Sequence, residues 1–154
     1  MTPAQRRYIA IETMIGATIS AVLSIAFVLL VFGGRAGVTV AGPGGLIVDA
    51  VPQGFAIALM ATLVPTMLTR RRLARGKVRP IDGRARRRPR PLPIRLLGMA
   101  MLGAGLSVAV TVLLVVAEVR YVALPHVLVG KAVWGLLLGG LVAATMTRRA
   151  LEQG

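Results

Sequence analysis

Glu12 is the residue whose type and placement could most directly carry chemistry. It stands near the start of an apolar stretch that is otherwise uncharged. An ionisable group inside a membrane is a functional candidate by default, because its charge is costly there. A carboxylate so placed can take up and release a proton, coupling that movement to a second solute. The plainer reading is that Glu12 lies close enough to the interface to reach water or to pair with a flanking arginine. Nothing like it occupies the matching place in the third apolar stretch, which holds Met99.

The remaining candidates point away from catalysis. Asp49, Glu118, Arg120, His126 and Lys131 fall near the ends of apolar stretches, where a ring of interfacial ion pairs is expected. A lone histidine and scattered carboxylates do not make a metal site, which needs clustered ligands. With one histidine in the chain, a bis-histidine haem would require a dimer. Cysteine is absent, so disulfides and thiolate chemistry are excluded. No Gly-Lys-Ser/Thr phosphate loop and no nucleophile–base pair is visible. Neither an enzyme nor a cofactor is expected. A lipid-modifying enzyme would need the outer carboxylates and His126 to converge at one face.

Four apolar stretches must position these residues. They cover 9–32, 50–69, 96–117 and 127–147, each about as long as a helix needs to cross a bilayer. The chain is 154 residues long and 56% hydrophobic, which excludes a water-soluble fold. The first stretch is too long for the apolar core of a signal peptide, and no small-residue cleavage site follows it, so a retained helix is expected. The polar segment 73–93 is too basic and proline-rich to bury a core of its own. It separates a first hairpin, residues 1–72, from a second, residues 94–154.

Charge sets the expected orientation. The formal net charge is +14, and Arg70–Arg90 carries eleven basic residues against the single acid Asp82. Arg6 and Arg7 precede the first stretch, and Arg148 and Arg149 follow the fourth. Short loops rich in Lys and Arg stay in the cytoplasm. Four spans put all three basic segments on that side, with both termini inside. Three or five would place one outside. Arg70, Arg71, Arg72, Arg86, Arg87, Arg88, Arg148 and Arg149 are then expected to meet anionic lipid headgroups, each at about 1 kcal/mol near the surface. Nucleic acid is not expected as a partner, because no aromatic residues interleave with these charges to stack on bases.

The two hairpins resemble each other. Met14-Ile15-Gly16-Ala17-Thr18-Ile19-Ser20 matches Met101-Leu102-Gly103-Ala104-Gly105-Leu106-Ser107. Spans two and four end alike, in Thr69-Arg70-Arg71 and Thr147-Arg148-Arg149. The expected architecture is an all-α membrane protein of four transmembrane helices, built as two tandem, similarly oriented hairpins. The parallel copies would be related by an axis along the membrane normal.

Small residues recur every fourth position: Gly16, Ser20 and Ser24 in span one, Gly103, Ser107 and Thr111 in span three. Such grooves let another backbone approach closely. Packing of spans one and three on each other is expected, with a homodimer face or a partner's helix as the sharper alternative. Gly135, Gly139 and Gly140 give span four a similar face. Pro52 falls in the first turn of span two and Pro65 near its basic end, where a kink is expected. Trp134 and Tyr8 are placed as interface anchors. The glycine-rich Ala41–Gly45, flanked by Val38–Val40 and Leu46–Val48, suggests a tight turn in a short hairpin on the outer surface.

The run Asp49-Ala50-Val51-Pro52-Gln53-Gly54-Phe55-Ala56, continuing to Leu63-Val64-Pro65 and Thr69-Arg70-Arg71, resembles small two-helix bacterial inner-membrane proteins of unknown function. The resemblance covers mainly 9–72 and implies an inner-membrane location, with no activity or site residues attached. Small four-helix multidrug exporters share a carboxylate in the first helix. Theirs lies deeper and among aromatic residues, whereas this chain is 4% aromatic. The functional expectation is a non-catalytic accessory or scaffold protein that contacts lipids and other membrane proteins, or itself. The alternative is a small dimeric proton-coupled transporter or channel using Glu12.

Overall fold

The computed structural model describes residues 1–81 and 91–153. Four long helices form a bundle: α1 (Pro3–Phe32), α2 (Leu46–Ala74), α3 (Leu92–Val116) and α4 (Leu124–Gln153). Each is long and apolar enough to cross a membrane, with mean hydropathy of 2.5, 1.7, 2.4 and 1.9 in chain order. α1 begins on a capping box. Thr2 Oγ1 accepts from the Gln5 backbone N–H at 3.2 Å, and Gln5 Oε1 accepts from the Thr2 N–H at 2.8 Å. Pro3 takes the first helical position, where a missing N–H costs nothing.

Helix pairing departs from the expected pattern. α1 packs chiefly on α4, α3 packs on α2, and α2 and α4 meet in the middle. Spans one and three therefore do not close on each other. The small residues explain this. A Cβ on Gly16 would stand 2.7 Å from the Ala143 Cβ, and one on Gly135 would stand 2.8 Å from the Ser20 carbonyl oxygen. Across the other pair, a Cβ on Gly103 would stand 2.7 Å from the Gly54 carbonyl oxygen. A groove of small residues needs only another close-packing backbone, and the glycines of α2 and α4 supply it. Between α2 and α4, Ile57, Ala61, Leu138, Val142 and Met146 form an apolar core.

The end of the bundle opposite the chain termini is closed by two short strands, β1 (Gly37–Thr39) and β2 (Tyr121–Ala123). They pair antiparallel, Val38 opposite Val122. The ladder is extended by the Val40 N–H to the Arg120 carbonyl and the Leu124 N–H to the Ala36 carbonyl, both at 3.0 Å. The expected local hairpin between Val38–Val40 and Leu46–Val48 does not form. Gly42 and Gly44 adopt positive φ, 99° and 71°, and turn the chain so that Leu46–Val48 opens α2 instead. β1 is then left with an open edge, and the loop after α3 fills it. Val28, Phe32, Val38, Val40, Leu46 and Val127 pack beneath this sheet.

At the other end, the segment after α2 ties two termini together. Gln5 Nε2 donates to the Pro80 carbonyl at 2.9 Å, and the Ile81 N–H donates to the Leu151 carbonyl at 3.0 Å.

Candidate functional site

Among the described residues, two ion pairs are set into the bundle, one toward each end. Near the termini, Tyr8 and Glu12 lie one turn apart on α1 and face Thr69 and Arg72 on α2. Arg72 Nη1 donates to Glu12 Oε1, and the carboxylate side chain is only 3% exposed while that of Arg72 is 40% exposed. The guanidinium also lies over the Tyr8 ring, 5.3 Å from its centroid. The Tyr8 hydroxyl and Thr69 Oγ1 are 3.2 Å apart. Glu12 is thus held by an arginine from the next helix.

Near the strand end, Lys131 of α4 donates to Asp49 Oδ2 at 2.8 Å and to Gln53 Oε1 at 2.5 Å. Asp49 and Gln53, four apart on α2, share a face and are both buried. Among the described residues, Asp49 Oδ1 and Gln53 Nε2 have no hydrogen-bond partner. One turn along from Lys131, Trp134 Nε1 donates to Ser107 Oγ at 2.8 Å, so α3 joins the same polar layer. Trp134 also packs against the α2–α4 core, so its ring anchors helix to helix.

Between α1 and α2 the walls part into a crevice of about 80 Å³. Glu12 and Pro65 line its end nearest the termini, and Ser20 and Met60 line its depth.

Gly16 and Ser20 lie against α4, and Ser24 lies beside Gly135. Gly103 and Ser107 lie against α2, and the buried Thr111 donates back to the Ser107 carbonyl at 2.8 Å. Arg70, Arg71, Arg148 and Arg149 are exposed near the terminal end, with Arg148 Nε 3.2 Å from Glu152 Oε1. Arg86, Arg87 and Arg88 lie outside the described residues. Among the described residues no three His, Cys, Asp or Glu side chains gather where they could hold a metal ion. Asp49 and Lys131 are paired inside the bundle rather than along its rim. Gln53 carries no charge to mark it in the sequence. Its signal was its spacing, since it repeats the polar face of Asp49 one turn later on an apolar helix.

Fold and site together define an all-helical protein with four helices able to span a membrane. No protein-family model, no curated protein and no solved structure matches the chain.

Proposed function

We propose that this chain is a non-catalytic, four-span protein of the bacterial inner membrane, acting as an accessory or scaffold subunit that contacts lipids and other membrane proteins. Both termini and the basic loop face the cytoplasm. The observation that carries this reading is the state of Glu12. Its carboxylate is occupied by Arg72, and the crevice it lines is walled by Ile15, Ile19, Val64 and Leu68. Proton-coupled transport needs water or a polar relay leading away from the carboxylate along the bundle, and these apolar walls supply neither. A pair that bridges α1 to α2 suits structural service.

The two hairpins are read as a duplication with parallel orientation. In support, Gly16 meets Ala143 as Gly103 meets Ala58, and Ser20 meets Gly139 as Ser107 meets Gly54. Equivalent positions are then 87 residues apart in α1 and α3 and 85 apart in α2 and α4. The paired strand centres, Val38 and Val122, are 84 apart. This register aligns Gly54 with Gly139, whereas matching the basic ends of spans two and four sets the helices about two turns differently.

Mass spectrometry of the protein released in native lipid discs tests the function. A stoichiometric foreign subunit supports the scaffold reading. A homo-oligomer without partners overturns it and directs attention to transport, where Glu12→Gln would abolish proton-coupled flux.

A further inference from the structure

The crevice between α1 and α2 holds about 80 Å³, several times the roughly 10–15 Å³ that admits one water. Ile15, Ile19, Met60, Val64 and Leu68 offer water nothing to bond, so the natural filling is apolar. Ile15, Ile19 and Met60 are 46%, 45% and 40% exposed, so the crevice opens sideways to the surroundings of the bundle. From Leu68 to Met60 it runs eight residues, about 12 Å at the helical rise. That compares with about 15 Å of tail in one leaflet of a bilayer core.

The end nearest the termini is charged. Arg72 stands there, fixed by Glu12 on one side and the Tyr8 ring on another, with 40% of its side chain exposed. A guanidinium has five N–H donors in a planar fork suited to phosphate. The carboxylate of Glu12 offsets the charge of Arg72, so the exposed Arg70 and Arg71 beside it leave a net positive rim.

We propose that this crevice is a binding site for an anionic glycerophospholipid. Part of one acyl chain lies in the crevice between α1 and α2, and the phosphate accepts hydrogen bonds from Arg72. Glu12 is a positioning residue that holds the guanidinium at the mouth. The phosphate contact accounts for phospholipid binding, and the exposed Arg70 and Arg71 account for preference for a negative headgroup. The site rests on the membrane reading above, and its place in the cytoplasmic leaflet rests on the proposed orientation.

The test is native mass spectrometry of the full chain, released from discs holding equal amounts of phosphatidylglycerol and phosphatidylcholine. Phosphatidylglycerol is expected to stay bound in excess. Arg72→Gln should lower its retention by roughly tenfold, the effect of losing a charge-assisted hydrogen bond. Val64→Phe fills the crevice while leaving every arginine in place, and should remove the lipid equally. Arg35→Gln, at the opposite end, should change nothing. Equal retention of the two lipids, or full retention in Val64→Phe, overturns the proposal. Should Arg72→Gln fail to fold, Val64→Phe decides alone. A foreign subunit appears as a separate mass, so loss of the lipid site and loss of the scaffold reading are distinguishable.

Discussion

Glu12 and Arg72 stand sixty positions apart in the chain and form an ion pair that joins α1 to α2. These two helices share much less surface than α1 shares with α4. The pair therefore holds together a contact that apolar packing leaves open.

Removing one partner leaves a buried charge uncompensated. Arg72→Ala should destabilise the protein by about 1–3 kcal/mol, less than a fully buried pair would cost because Arg72 is partly exposed. Replacing both residues, as Glu12→Gln with Arg72→Gln, should restore much of the loss. Thermal unfolding in detergent micelles measures the difference. A double variant no better than Arg72→Ala would show that the two side chains are not coupled.

The Asp49–Lys131 pair is more enclosed, with side chains 3% and 12% exposed. Lys131→Met should cost about 3–5 kcal/mol, since Asp49 would lose its counter-charge beneath the strand cap. Asp49→Asn in the Lys131→Met background should recover part of that. The readout is the unfolding midpoint of the four chains in one double-mutant cycle.

Glycine positions divide by what surrounds them. Gly103→Ala places a methyl against the Gly54 backbone and should cost about 1–3 kcal/mol through overpacking. Among the described residues, nothing lies within 4 Å of a Cβ added at Gly98 or Gly105. Gly105→Ala should be neutral or stabilise by up to about 1 kcal/mol, the gain in helix propensity. Equal effects at Gly103 and Gly105 would contradict the α2–α3 packing.

The strand pairing can be trapped chemically because the chain has no cysteine of its own. Thr39 and Tyr121 face each other in β1 and β2, at a pair lying between hydrogen-bonded ones. Such residues have Cα atoms about 4.5 Å apart, within the span of a disulfide. Thr39→Cys with Tyr121→Cys should oxidise readily to an intramolecular bond, seen as a shift on non-reducing gels. Val38→Cys with Val48→Cys, a pair that a local hairpin across Ala41–Gly45 would set opposite each other, should stay reduced. The reverse result would place β1 against the wrong segment.

Four helices were legible from length and hydropathy, because a run of about 20 apolar residues has few other stable solutions. The positions of Gly16, Ser20, Gly103 and Ser107 as packing residues were legible too, since small side chains four apart make a groove on one helix face. What lies in that groove was not. Any close-packing helix satisfies it, and the choice of α4 for α1 and α2 for α3 depends on all four helices fitting together.

The same division runs through the polar residues. Glu12, Asp49 and Lys131 were conspicuous by their charge in apolar surroundings, a property of composition alone. Their partners were decided by tertiary structure. Arg72 is one of many arginines near the basic segment, and only the facing of Tyr8 and Glu12 on α1 toward Thr69 and Arg72 on α2 singles it out. The sheet of Gly37–Thr39 with Tyr121–Ala123 joins two loops more than eighty residues apart. Local turn chemistry pointed to a hairpin, but the helical start at Leu46 removed its second strand, and the bundle brought in another. Hydropathy acts residue by residue along the chain, so the sequence determined it directly. Pairing acts between distant groups, and only the assembled bundle could select it.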